Sequence, residues 1–226
     1  MRSVFSLAKT WGAFDGANPL VDARLPIEAP AAIPTHAATA DEVLTIMEVL
    51  RRAGEKKVRA AVALMFFTRL RPGEARGALW QDYDGKRLLV RQSVWHAHTT
   101  VPKTAEAAAP VPIIPLLADI LADLRQADGN PADGPILRGP SGKPLWLDNV
   151  SQRVIIPLLR GCAVCGRPEY DHKSGHAFKL DESLPTWHGF YSLRRGVATT
   201  LAGLTKDGMA SKGLPRHTNI ATRMRY

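Results

Sequence analysis

Nowhere in its 226 residues does this chain carry an apolar run near the roughly 18 positions that a membrane helix needs. A helical membrane span is therefore excluded. Nor does the N-terminus hold the unbroken apolar stretch of a secretory signal, because Lys9, Trp11 and Asp15 interrupt it. The expected place of the protein is the cytoplasm. Cysteine is scarce too: there are two, Cys162 and Cys165, and they form a single C-x2-C pair. No internal repeat recurs along the chain. Against these absences stand 45% hydrophobic and 23% charged residues, the balance of a folded globular protein and not of a disordered one. The length suits one sizeable domain, or one and a fraction.

Acid is the other shortage. Lys and Arg number 30 against 21 Asp and Glu, a formal net charge of +9. Solubility alone would account for that excess, but not for its distribution. From Arg194 to Tyr226, Asp207 is the single acid among the arginines and lysines. A segment so biased is an electrostatic footprint for a polyanion, bound with release of counterions.

Residues 4–14 read as a helix stopped by Gly16-Ala17-Asn18-Pro19, and Pro26, Pro30 and Pro34 mark an extended linker. A compact domain begins near Thr39, which forms a T-x-x-E capping box with Glu42. Val43, Ile46, Met47 and Leu50 follow at helical spacing, and a second helix turns Val58, Val62, Met65 and Phe66 inward. Pro72 suits the first turn of a short third helix. Leu88 to Val90, Ser93 to Trp95 and Val111 to Ile114 read as three strands of a small antiparallel sheet, with Lys103 between the second and third. Leu116, Leu117, Ile120, Leu121 and Leu124 mark another helix, and a Gly- and Pro-rich loop runs to about residue 144. Asp148 caps the next helix, which Pro157 ends or kinks, and final helices begin near Ser192, Lys206 and Thr218. The predicted class is α+β, mainly α-helical, with one small sheet.

Four ordered blocks carry the chemistry. They are Arg71 with Glu74, Lys103 ahead of Val111-Pro112, Arg194 in Ser-Leu-Arg-Arg-Gly, and His217 followed nine residues later by Tyr226. A phosphodiester under attack gathers negative charge on its non-bridging oxygens, which guanidinium forks match bidentately. A tyrosine hydroxyl is able to act as nucleophile and a lysine to protonate the leaving oxygen. Glu74 falls one helical turn from Arg71, placed to hold the guanidinium from behind. Arg194 opens a helix, where the positive end of the dipole adds to phosphate attraction.

The order and identity of these blocks resemble the catalytic domain of the tyrosine recombinases, the phage-integrase family. The resemblance covers about residues 37–226 and implies an integrase-type domain with a small three-stranded sheet. Residues 1–36 would be the last helix and linker of a DNA-clamping domain. It further implies a site-specific recombinase that cleaves and rejoins double-stranded DNA through a covalent 3′-phosphotyrosine, as a homotetramer on DNA in the full-length protein. It would work at the nucleoid, with no membrane and no cofactor for catalysis. Tyr226 would be the nucleophile and Lys103 the acid for the 5′ oxygen, while Arg71, Arg194 and His217 bind the phosphate. The family carries histidine where this chain has Tyr191, whose hydroxyl would donate to a phosphate oxygen; His188, one turn earlier, fits a structural role. Glycine is usual where this chain has Arg69. The alternative reading is a truncated or inactive DNA-binding remnant of an integrase. A type IB topoisomerase would use similar chemistry but fits the blocks less closely.

One motif lies outside that set. Cys162-x2-Cys165 with His172 and His176, inside a segment of about residues 161–186, has the ligand types of a tetrahedral structural zinc site. Two reduced buried cysteines, or an incidental histidine-rich loop, are the other readings. A small zinc-stabilised interaction module is the third functional possibility.

Overall fold

A computed structural model describes residues 2–18, 35–101, 110–173 and 175–204, with the side chains of those from 4 through 197. The chain forms two compact units, Met1–Thr35 and His36–Tyr226. In the first, α1 (Arg2–Thr10) is followed by a turn in which Phe14 meets Phe5 edge-on, ring centroids 5.5 Å apart. The proline-marked linker lies outside the described residues.

The second unit runs α2 (Ala40–Arg52), α3 (Lys56–Thr68), α4 (Pro72–Gly77), β1 (Arg87–Leu88), β2 (Ser93–Trp95), β3 (His98–Thr100), β4 (Val111–Pro112), α5 (Pro115–Ala127), α6 (Leu147–Val150), α7 (Ile156–Leu159) and α8 (Phe190–Leu204). The segments predicted near Lys206 and Thr218 lie outside the described residues. No described helix is long and apolar enough to cross a membrane.

The capping box forms as predicted: the Glu42 N–H donates to Thr39 Oγ1 at 3.2 Å, and the Thr39 N–H to Glu42 Oε2 at 2.7 Å. Val43, Ile46, Met47 and Leu50 are the buried stripe of α2. For α3, a one-sided stripe proves too narrow a reading. Ala60, Ala61, Val62, Ala63, Leu64 and Met65 are all fully buried, because α3 is the central helix, packed on α2, α5 and α8. Its alanines let neighbouring helices approach on several sides at once.

The three-stranded sheet is corrected to two antiparallel pairs, β1 with β4 and β2 with β3. Leu88 and Val111 do pair, but Ser93 to Trp95 forms a hairpin with His98 to Thr100 instead, turned by His96 at φ 50°. The physical reason lies in α4. The carbonyl of Val94, a residue paired with Thr99 in the hairpin, accepts a hydrogen bond from Arg76 of α4 at 3.1 Å. Gly77 rests on the neighbouring backbone, where any side chain would put its Cβ 2.5 Å from the Gln92 carbonyl oxygen. The helix thus occupies the edge that a third strand would need.

The α6 and α7 segments form one helix with a wide turn, residues 151–155, between them. Ile156 donates to the Ser151 carbonyl, five residues back, just before Pro157. The widened turn accommodates a residue that has no N–H and whose ring would strike the preceding turn. Asp148 lies in the first turn, but it is Trp146 that occupies the cap.

Candidate active site at the start of helix α8

The central helix delivers one half of the site. After Thr68, Arg69 adopts a left-handed conformation at φ 57°, which reverses the chain so that Leu70 is buried and Arg71 heads α4. A glycine reaches this conformation freely, whereas an L-residue with a side chain pays about 1–2 kcal/mol. The position where the resemblance led us to expect glycine is therefore one with a backbone reason for it. Arg71 is held from below by Glu74, whose side chain is 9% exposed against 50% for the arginine. Glu74 Oε2 accepts the Arg71 backbone N–H at 2.9 Å, and Oε1 accepts Nη1 at 3.4 Å. A buried carboxylate beneath an open guanidinium limits how the fork can turn.

Helix α8, the last among the described residues, delivers the other half. Gly189, at φ 82°, sets up its first turn, and its carbonyl accepts both the N–H and the hydroxyl of Ser192, at 3.1 and 2.6 Å. The Ser192 carbonyl accepts the Ala38 N–H at 3.0 Å, and Gly196 lies so close to Ala38 that a Cβ there would strike its carbonyl. Arg195 Nε donates to the His36 carbonyl at 2.8 Å. These contacts clamp α8 onto the chain leading into α2.

Arg194 is buried, and its Nη1 donates to the carbonyl of Arg69. The structure thus draws Arg194 to the same turn that presents Arg71, across 125 residues of sequence. Tyr191 is one turn earlier on α8 and 54% exposed. His188 stacks on His36, ring centroids 3.9 Å apart, and His36 Nε2 lies 3.0 Å from Glu42 Oε2. Lys103, His217 and Tyr226 lie outside the described residues.

No family model and no curated protein matches the sequence. Solved structures do match. XerA recombinase is similar at a TM-score of 0.57 and 15% identity, over 100% of this chain and 68% of that one. The Tn1549 transposon integrase, in complex with a circular intermediate DNA, gives a TM-score of 0.68 and 16% identity over 100% and 71%. A lambda integrase dimer bound to a COC′ core site gives 0.54 and 21% over 100% and 56%. The chain has the tyrosine recombinase fold. At identities this low the likeness is one of architecture.

Within the tyrosine recombinase fold, one charged residue beside the site escaped the sequence reading. Arg76 is buried, and donates from Nε to the Leu145 carbonyl at 2.8 Å, from Nη1 to Val94 at 3.1 Å and from Nη2 to His96 at 3.3 Å. Its guanidinium also lies 5.3 Å from the centre of the Trp146 ring. Burial lowers its pKa from the usual arginine range, and Asp148 acts against that. Arg76 ties α4, which carries Arg71 and Glu74, to the β2–β3 hairpin and to the segment entering α6. Nothing local marks it out, because its acceptors come from remote stretches of chain.

The two cysteines and two of the histidines between α7 and α8 do come together. The ligand atoms of Cys162, Cys165, His172 and His176 all lie within 4.8 Å of one another. Cys162 Sγ is 3.3 Å from His176 Nε2, which is 3.2 Å from His172 Nε2. The Cys162 thiol is lowered to about 5, first by the backbone N–H of Lys179, then, against the opposing effect of burial, by those of Cys165 and Val164 and by His176. These four residues are the ones among those described that could hold a metal ion.

Proposed function

We propose that this chain is a site-specific DNA strand-transfer enzyme that works through a covalent 3′-phosphotyrosyl intermediate. The observation that carries the reading is the hydrogen bond from Arg194 to the carbonyl of Arg69, two residues before the Glu74-backed Arg71, in a fold shared with recombinases solved on DNA. Arg71, backed by Glu74, and Arg194 bind the non-bridging oxygens of the scissile phosphate, with His217 and the Tyr191 hydroxyl as further donors. The Tyr226 hydroxyl attacks phosphorus and gives up its proton. The bond from phosphorus to the 5′ oxygen breaks, and Lys103 protonates that oxygen as it leaves. Cleavage conserves the phosphodiester as a phosphotyrosyl ester, so attack by a free 5′-hydroxyl reverses the step and rejoins a strand. No external energy source or cofactor enters the balance.

Double-stranded DNA is the partner, with a homotetramer on DNA as the working assembly of the full-length protein. Residues 1–36 are read as the last helix and linker of a DNA-clamping domain, and 37–226 as the catalytic domain. Incubation with a nicked suicide DNA, followed by a denaturing gel, tests the reading. A covalent protein–DNA band that disappears in Tyr226→Phe is expected; no band in the unaltered chain would overturn it.

A second reading, a DNA-binding remnant without turnover, draws on two observations. Tyr191 stands where a histidine is usual, and Arg194 is buried against a backbone carbonyl. Losing one preorganised donor costs about 2.7–4 kcal/mol of transition-state stabilisation. Salt-sensitive DNA binding with no covalent band is the result that selects this second reading.

A further inference from the structure

Between α7 and α8, the described residues of 160–189 carry little regular secondary structure. Those described residues contain one short turn of helix, at Glu169–Asp171, and two isolated bridges. The apolar side chains Val164, Tyr170 and Leu180 are 68%, 69% and 42% exposed, so the loop has little core of its own. Cys162, by contrast, is buried, and its sulfur lies 3.3 Å from His176 Nε2. The other three side chains bring their ligand atoms to within 4.8 Å of this sulfur and of one another.

Those three close the figure. With metal–sulfur bonds of about 2.3 Å and metal–nitrogen bonds of about 2.0–2.1 Å, the edges of a tetrahedral S2N2 site run about 3.3–3.8 Å. The sulfur–nitrogen and nitrogen–nitrogen separations of 3.3 and 3.2 Å fit that figure, and no pair of ligand atoms exceeds 4.8 Å. A disulfide between Cys162 and Cys165 would explain neither the two imidazole nitrogens turned toward each other nor their closeness to the sulfur. Two thiolates and two imidazoles select zinc, and four protein ligands leave no position for water or substrate.

We propose that Cys162, Cys165, His172 and His176 bind one zinc ion in a closed structural site, and that the ion fastens the loop that leads into α8. The backbone carries the constraint forward. Cys162 bridges to Leu180, the Ala163 N–H donates to Lys179 at 2.7 Å, and the Asp181 N–H to Gly161 at 2.8 Å. Trp187 then ties the end of the loop to the widened helical turn, with Nε1 3.1 Å from Ser151 Oγ, and packs edge-on against Phe190 in the first turn of α8. The ion thus sets where α8 begins, and with it Tyr191 and Arg194. The proposal is independent of the strand-transfer reading, since neither the metal geometry nor its test involves DNA.

The test uses the full chain, untagged and reduced. Metal analysis after loading with zinc and dialysis is expected to give a single equivalent per chain. Cobalt(II) in its place is expected to give the intense visible bands of a tetrahedral ion, with thiolate charge transfer in the near ultraviolet. Cys165→Ser, at an exposed position, and His172→Asn should each abolish stoichiometric retention. Proteolysis between residues 160 and 189 should quicken on chelation and slow again when zinc alone is restored. No retained zinc, or the weak spectrum of six-coordinate cobalt, would overturn the site. Retained zinc with proteolysis unaffected by chelation would overturn its fastening role.

Discussion

Replacing Arg76 with leucine isolates how much the site depends on a buried cation that takes no part in the chemistry. The guanidinium supplies donors to three backbone carbonyls, those of Leu145, Val94 and His96. A leucine would fill much of the stem's volume but leave each carbonyl without this donor. A buried acceptor left unsatisfied costs about 1–3 kcal/mol, and the low end applies here because two of the three bonds lie at partly exposed positions. The gross loss is then about 3 kcal/mol. Relief from burying a charge offsets part of it, for a net of about 2–3 kcal/mol. For a chain of this size that corresponds to a fall in Tm of roughly 5–10 °C. Urea unfolding of the two proteins, compared at a common slope, measures the difference directly. Arg76→Lys should recover part of the loss, because an ammonium reaches some of the carbonyls but lacks the fork. A leucine variant within about 0.5 kcal/mol of the parent, the range of an ordinary surface change, would refute the reasoning.

Gly196→Ala should destabilise by about 1–3 kcal/mol, since the new methyl meets the backbone of Ala38 and not a yielding side chain; thermal unfolding checks it. Arg194→Ala should abolish the covalent DNA band and weaken binding in a titration at fixed salt, whereas unchanged cleavage would reject its phosphate role. Glu74→Gln should lower the rate of adduct formation while the chain stays folded by circular dichroism, because the amide keeps the shape but not the charge under Arg71. For Glu42, burial raises the pKa but is outweighed by the Thr39 backbone N–H, by His36 and by the Thr39 hydroxyl, and the net direction is down. Its folded pKa is thus below the unfolded one, so its stabilisation is present above about pH 4.3 and lost as pH falls through the lower folded value. The stability gap between the parent and Glu42→Gln should narrow in acid; a gap constant with pH would contradict this.

Much of the architecture was written locally. The Thr39–Glu42 box, the α2 stripe, Pro72 at the head of α4 and the disturbance at Pro157 all follow from contacts within a few residues, which periodicity and capping chemistry register directly. The Arg71–Glu74 pair was legible for the same reason, being one helical turn apart. So was the cysteine and histidine ligand set, whose members fall within a short stretch of chain. What only the tertiary structure decided are the matters settled between distant segments. Burial of α3 on every side required three partner helices, and the split into two strand pairs required Arg76 to claim a carbonyl of β2. Arg194 meets the turn before Arg71 across 125 residues, and α8 seats on Ala38 through a glycine. Residue types and local spacing set which groups the chain owns and which helices carry them. Which of those groups face one another depends on packing, because a hydrogen bond or a close backbone approach between remote segments leaves no mark on the sequence near either end.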